Sequence, residues 1–202
     1  MKSFNTSLHR RLPWLAFCIL TGPLLLPLTM GGAGAPTLID DFSNAEQTTA
    51  GAARPIITDK DIGGQSQATA NCADGIFAVT GTLAPGRGMP AFVSVPLLLS
   101  TDAQPQDVSG REGVRLRVKI ERGALSVQVS STEIDNFDYH TSAPIVRKPG
   151  AFQEIRIPFS AMKRAWSEQV PLNLKTITSV NLVVAGMAPG AFAYEVDEIG
   201  FY

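Results

Sequence analysis

In the body of this chain only Cys72 and His140 are of a type that serves as a nucleophile or base near neutral pH. The other cysteine and histidine, Cys18 and His9, fall in an apolar, basic-headed N-terminal stretch. A Ser-His-Asp or Cys-His nucleophile, a zinc site or a histidine acid/base pair would have to be built around those two residues. His140 closes the run Asn136-Phe137-Asp138-Tyr139-His140, which crowds aromatic and hydrogen-bonding side chains together. Such mixtures of ring faces and polar groups recognise sugars or peptides. The other reading of the run is an ordinary strand with satisfied polar groups. Asp138 and His140 are two apart, the spacing that places both on one strand face, yet no nucleophile stands beside them. Asn136, Asp138, Tyr139, His140 and Trp166 are the candidate binding residues. Trp166 follows Lys163 and Arg164, and either anchors a short helix or stacks on a ligand.

Other chemistries fit less well. Glu133, Asp135 and Asp138 offer the paired carboxylates that a hydrolase needs, but acids near a turn are common. Cys72 lies beside Ala73 and Asp74, and a nearby acid works against thiolate formation. It is either a buried apolar cysteine or a reactive, intermolecular thiol. No phosphate loop, dinucleotide fingerprint or metal-spaced ligand set is present. No enzymatic activity is expected.

Residues 1–35 have the plan of an export signal. Lys2, His9, Arg10 and Arg11 form a basic start, Trp14 to Leu28 is apolar, and Ala33-Gly34-Ala35 fits a signal-peptidase site. Pro23 and Pro27 interrupt the apolar run, which is shorter than the roughly 20 residues that a membrane span needs. The expected location is periplasmic or extracellular, with no stable span after cleavage. Cleavage removes three basic residues and no acid, leaving 14 basic against 18 acidic, a net charge of −4. That balance leaves no basic patch for nucleic acid. Cys72 then has no partner for an internal disulfide.

The remaining residues, 36–202, suit a single domain. Val114, Leu116, Val118 and Ile120 alternate with Arg115, Arg117, Lys119 and Glu121. Beyond Gly123, Leu125, Val127 and Val129 alternate with Ser126, Gln128 and Ser130. This period of two predicts two strands, expected to pair as an antiparallel hairpin. Further strands are predicted at Thr37–Phe42, Ile76–Gly81 and Ala91–Leu98, from Phe152 to Pro158, and around Val180–Val184 and Phe192–Ile199. Residues 43–55 and 100–111 read as loops, and Ser160–Glu168 as one short helix. Eight or more short strands predict an all-β sandwich, most simply a jelly roll.

Four pieces occur in a telling order. They are Leu38-Ile39-Asp40-Asp41-Phe42, then Asp59-Lys60-Asp61-Ile62-Gly63-Gly64-Gln65-Ser66 followed by Phe77 and Gly81, then Ile157-Pro158-Phe159-Ser160, and finally Val196-Asp197-Glu198-Ile199-Gly200-Phe201-Tyr202. Over residues 37–202 the ordered set resembles the complex I intermediate-associated protein 30 family. That resemblance implies a galactose-binding-like jelly roll and a non-enzymatic character. Mitochondrial members assist complex I assembly, whereas the leader here is secretory in type. The fold also hosts carbohydrate-binding modules, and related jelly rolls often hold a structural calcium ion. No metal site is assigned, but Asp40, Asp41, Asp197 and Glu198 are the oxygen ligands that would suit calcium. Gly63-Gly64 reads as a structural turn or a ligand-contacting loop. The expected function is a non-catalytic exported binding domain that acts as an assembly or scaffold factor. The alternative is a sugar-binding module. The expected partner is a protein or a small carbohydrate.

Overall fold

Alternation of apolar and polar residues builds two antiparallel sheets. The computed structural model describes residues 37–146, 148 and 151–202. The expected export signal, residues 1–35, lies outside them. The strands are β1 (Thr37–Asp40), β2 (Ile57–Thr58), β3 (Gln67–Ala73), β4 (Ile76–Leu83), β5 (Ala91–Leu98), β6 (Gly113–Arg122), β7 (Ala124–Ser131), β8 (His140–Thr141), β9 (Ile145–Val146), β10 (Gln153–Pro158), β11 (Ile177–Gly186) and β12 (Gly190–Phe201). The first sheet has the order β10-β6-β12-β4-β3, with β1 also on β12. The second has the order β2-β5-β11-β7-β8, with β9 also on β7. The result is a jelly-roll β-sandwich.

The inward residues of both sheets form one core. Val114, Leu116 and Val118 come from β6, Val93, Val95 and Leu97 from β5, and Val180 and Leu182 from β11, all with 0–1% exposure. Burying each such side chain stabilises the fold by about 1.5–3 kcal/mol. β12 keeps its apolar face inward despite the uneven spacing of Val196 and Ile199. Its register against β6 shifts between Val196 and Glu198, and the bulge absorbs the extra residue.

Two expectations are corrected. β6 and β7 do not pair as a hairpin: β6 lies between β10 and β12, and β7 beside β11. Gly123, at φ +73°, passes the chain from one sheet to the other. Both strands have one dry face, and that pattern is the same whether the partner is across a turn or across the sandwich. The helix expected over 160–168 is also not formed. Phe159–Ala161 makes one 3-10 turn, after which the chain is irregular. The backbone N–H groups of Ala165, Trp166 and Ser167 are drawn to the Asp138 carboxylate, not to helical carbonyls.

The Gly63-Gly64 segment is a structural turn. It caps a 3-10 helix over Asp59–Ile62, with Gly63 at φ +86°. Asp59 is buried and accepts from the Ser66 N–H (3.0 Å) and the Ser66 hydroxyl (2.6 Å), and from the Phe92 N–H (3.2 Å). The turn is thereby tied to β5.

Candidate functional site

The site is made of two loops, one between β7 and β8 and one after the 3-10 turn at Phe159–Ala161. Their base is a backbone bridge. Thr141 N–H donates to the Lys163 carbonyl at 2.9 Å, and Lys163 N–H donates back at 3.0 Å. Arg164 comes next and reaches across. Its Nε donates to the Asp138 carbonyl at 3.0 Å and its Nη2 to Asn136 Oδ1 at 3.1 Å. Its Nη1 holds its own loop through the Glu168 carbonyl at 3.0 Å.

Asp138 completes the fastening from the other side. It is 1% exposed. One carboxylate oxygen accepts from Ala165 N–H at 2.8 Å, and the other from Trp166 at 3.0 Å and Ser167 at 2.6 Å. Burial pushes this carboxyl up, but the converging N–H groups outweigh it and hold it below the usual carboxylate range. Asn136 adds a bond to the Ser167 hydroxyl at 3.0 Å and accepts from the Asp138 N–H at 3.2 Å.

This scaffold displays two rings. Phe137 is 74% exposed and Trp166 is 70% exposed. Phe137 precedes Asp138, and the Trp166 N–H is bound by Asp138, so both rings are mounted on backbone fixed by one carboxylate. Phe137 has φ +61°, a left-handed conformation that is unfavourable for a bulky side chain. Tyr139 meets Phe137 edge-on, with ring centroids 6.4 Å apart and an interplanar angle of 85°. Tyr139 is half-buried, and desolvation pushes its phenol up.

His140 is placed differently from the others. It is 3% exposed, and its Nε2 lies 2.7 Å from the Val170 carbonyl. A carbonyl only accepts, so Nε2 carries the proton. Nδ1 is buried without a partner. The Asp138 carboxylate is filled by backbone N–H groups, so no Asp-His pair forms. Asn136, Asp138 and Trp166 are thus brought together, Tyr139 lies alongside, and His140 is an internal brace. Sequence reasoning missed Arg164, Ser167 and the exposure of Phe137. No local signal pointed to Arg164, whose contacts to Asp138 and Asn136 span 26 and 28 residues.

The other sequence candidates are otherwise engaged. Glu133 is exposed; such desolvation as it has pushes its carboxyl up, but the Thr176 hydroxyl at 2.7 Å and Asn173 at 2.5 Å hold it below the usual range. Asp40 makes a buried two-pronged ion pair with Arg54, at 2.6 and 2.9 Å. Asp41 is held low by the Ser43 hydroxyl at 2.7 Å. Asp197 pairs with Arg117, and Glu198 with Arg115. Among the described residues no group of three or more His, Cys, Asp or Glu is arranged to hold a metal ion. Cys72 donates its thiol to the Phe42 carbonyl at 3.2 Å, and burial pushes the thiol up.

Solved structures share this fold. A family 11 carbohydrate-binding module from Clostridium thermocellum, in complex with a β-1,3-1,4-mixed-linked tetrasaccharide, is 17% identical with a TM-score of 0.58. The alignment covers 82% of this chain and 94% of that one. The family 11 module of the cellulase Lic26A-Cel5E from the same organism gives a TM-score of 0.59 at 16% identity, covering 82% and 93%. Part of an agarase, AgWH50C, gives 0.52 at 10% identity, with 82% of this chain on 24% of that one. No curated protein matches the sequence. The profile of complex I intermediate-associated protein 30 (CIA30) matches residues 41–196. The chain belongs to the complex I intermediate-associated protein 30 family.

Proposed function

We propose that this protein is a non-catalytic, exported binding domain that docks a partner protein through Phe137 and Trp166, as an assembly or scaffold factor does. The observation that carries this reading is the pair of exposed rings on loops fastened around buried Asp138. Aromatics carried on a fastened backbone lose less freedom on entering a partner's pocket than those on a loose loop, and such anchors dominate binding energy. The strained φ of Phe137 fits the same role, since strain persists where a site needs a set geometry.

The chemistry of the candidate catalysts supports binding over turnover. His140 is buried against a carbonyl. The Cys72 thiol is pushed away from thiolate. Glu133 is taken up by Thr176 and Asn173, and the buried Asp138 carboxylate is filled by backbone N–H groups.

A sugar ligand is the second reading. It is favoured by the fold shared with carbohydrate-binding modules, together with rings able to stack on a pyranose. Affinity capture from the native envelope fraction, run beside a soluble-glycan screen, separates the two. The protein-docking reading expects capture of a protein that is lost in Phe137→Ala/Trp166→Ala. A glycan ligand with no captured protein would replace it with the second.

A further inference from the structure

β3 is an edge of the first sheet without the usual protection. Its residues, Gln67–Ala73, carry no charge and no proline, and they pair with β4 in unbroken register. Natural edges are blunted by charge, proline, bulges or shortness. At the opposite edge β10 carries Glu154, Arg156 and Pro158, and in the second sheet the edge strands β2 and β8 have two residues each.

The β3–β4 turn fixes which backbone groups of β3 are free. Asp74 and Gly75 have φ +54° and +75°, the signature of a two-residue I′ hairpin. Ala73 and Ile76 flank that turn as a hydrogen-bonded pair. Alternation then assigns Asn71, Thr69 and Gln67 to bonds with β4. The N–H and C=O groups of Ala68, Ala70 and Cys72 point the other way, and no other described segment bonds to them. Ala68 and Cys72 are half-buried, but Ala70 on the same face is exposed, so the sandwich is open at mid-strand.

We propose that β3 pairs antiparallel with β3 of a second copy of this chain, about a two-fold axis at Ala70. In that register Ala70 faces Ala70, and Ala68 faces Cys72 of the second copy. Every outward N–H and C=O of both strands finds a partner. Thr69 stands opposite Asn71 of the second copy, and no like charges meet because the strand has none. A strand alone buries less than the roughly 800 Å² per partner of a standard interface. Ile57, 48% exposed, supplies apolar area beside this edge. A cleft of about 540 Å³ joins Ile57 to Gln67 and Ala68.

The test is sedimentation equilibrium on protein purified from cells expressing the full-length chain. The wild type should show a concentration-dependent dimer. Thr69→Lys/Asn71→Lys places lysine opposite lysine twice and should weaken the dimer by about tenfold. Thr69→Lys/Asn71→Glu places opposite charges together and should restore it. Circular dichroism and melting confirm that each variant folds. A wild type that stays monomeric to about millimolar, or a lysine pair that dimerises as tightly as wild type, overturns the proposal. So does a strand from a different protein found on this edge.

Discussion

Gly64 is glycine because Asp59 fills the place of its side chain: a Cβ built there falls 2.1 Å from the Asp59 Cγ. The contact is with a buried carboxylate that already holds Ser66 and Phe92, so it has nowhere to retreat. Gly64→Ala should cost at least about 3 kcal/mol in urea unfolding. In Asp59→Ala/Gly64→Ala the two costs should be clearly less than additive, because the first change removes the obstacle to the second. Additive costs would show that Asp59 is not the obstacle.

Asp138→Asn keeps the shape of the side chain but offers an amide to N–H groups that need an acceptor. It should destabilise the protein by about 2–3 kcal/mol at pH 7. The pH dependence has a definite sign. The folded carboxyl lies below the unfolded value of about 3.9, so its contribution is complete above that value and lost as pH falls through the folded one. The gap between wild type and Asp138→Asn should therefore narrow below about pH 4. A gap that does not change between pH 7 and pH 3 would refute this account.

Phe137→Gly separates display from stability. Glycine accepts φ +61° freely, so the variant should be as stable as wild type, or more stable by about 1 kcal/mol. Its partner binding should fall at least about tenfold. A stability loss above about 1 kcal/mol would mean that the exposed ring packs in the fold after all.

Arg54 is 3% exposed at its side chain, is ion-paired to Asp40, and lies over the stacked rings of Phe42 and Phe77. It also donates to the carbonyls of Asn44 and Gln47. Arg54→Ala strands a buried carboxylate and should cost about 3–5 kcal/mol. Arg54→Lys should recover little, since lysine lacks the planar fork that reaches these acceptors together. Thermal melts of the two variants decide.

Chelation should leave the melting temperature unchanged within about 1 °C, because Asp40, Asp197 and Glu198 already have arginine partners. A clear fall on adding EDTA, reversed by calcium, would assign those acids to an ion.

Much of the fold was legible because alternation is a local property. Val114 to Ile120 and Val180 to Val184 declare a strand without reference to any neighbour. What alternation lacks is the identity of the partner strand, which is why β6 and β7 read as a hairpin. The site was legible in part for a related reason. Asn136–His140 and Trp166 stand out by residue type, and the fold does bring Asn136, Asp138 and Trp166 together. The missing element was Arg164. Its contacts to Asn136 and Asp138 span 28 and 26 residues, and nothing in the local pattern announces them. The same cause turned 160–168 into an expected helix: a carboxylate some 27 residues away claims its N–H groups.

The position of β12 also bears on timing. It is made after β1, β4 and β6, yet all three bond to it along the middle of the first sheet. β4 can pair early with β3, and β6 with β10, but these two halves and β1 are joined into one sheet only once residues 190–201 arrive. Pairing at such separations along the chain is slow, because loop closure precedes its reward. The first sheet therefore stays in unjoined pieces until synthesis has passed β12.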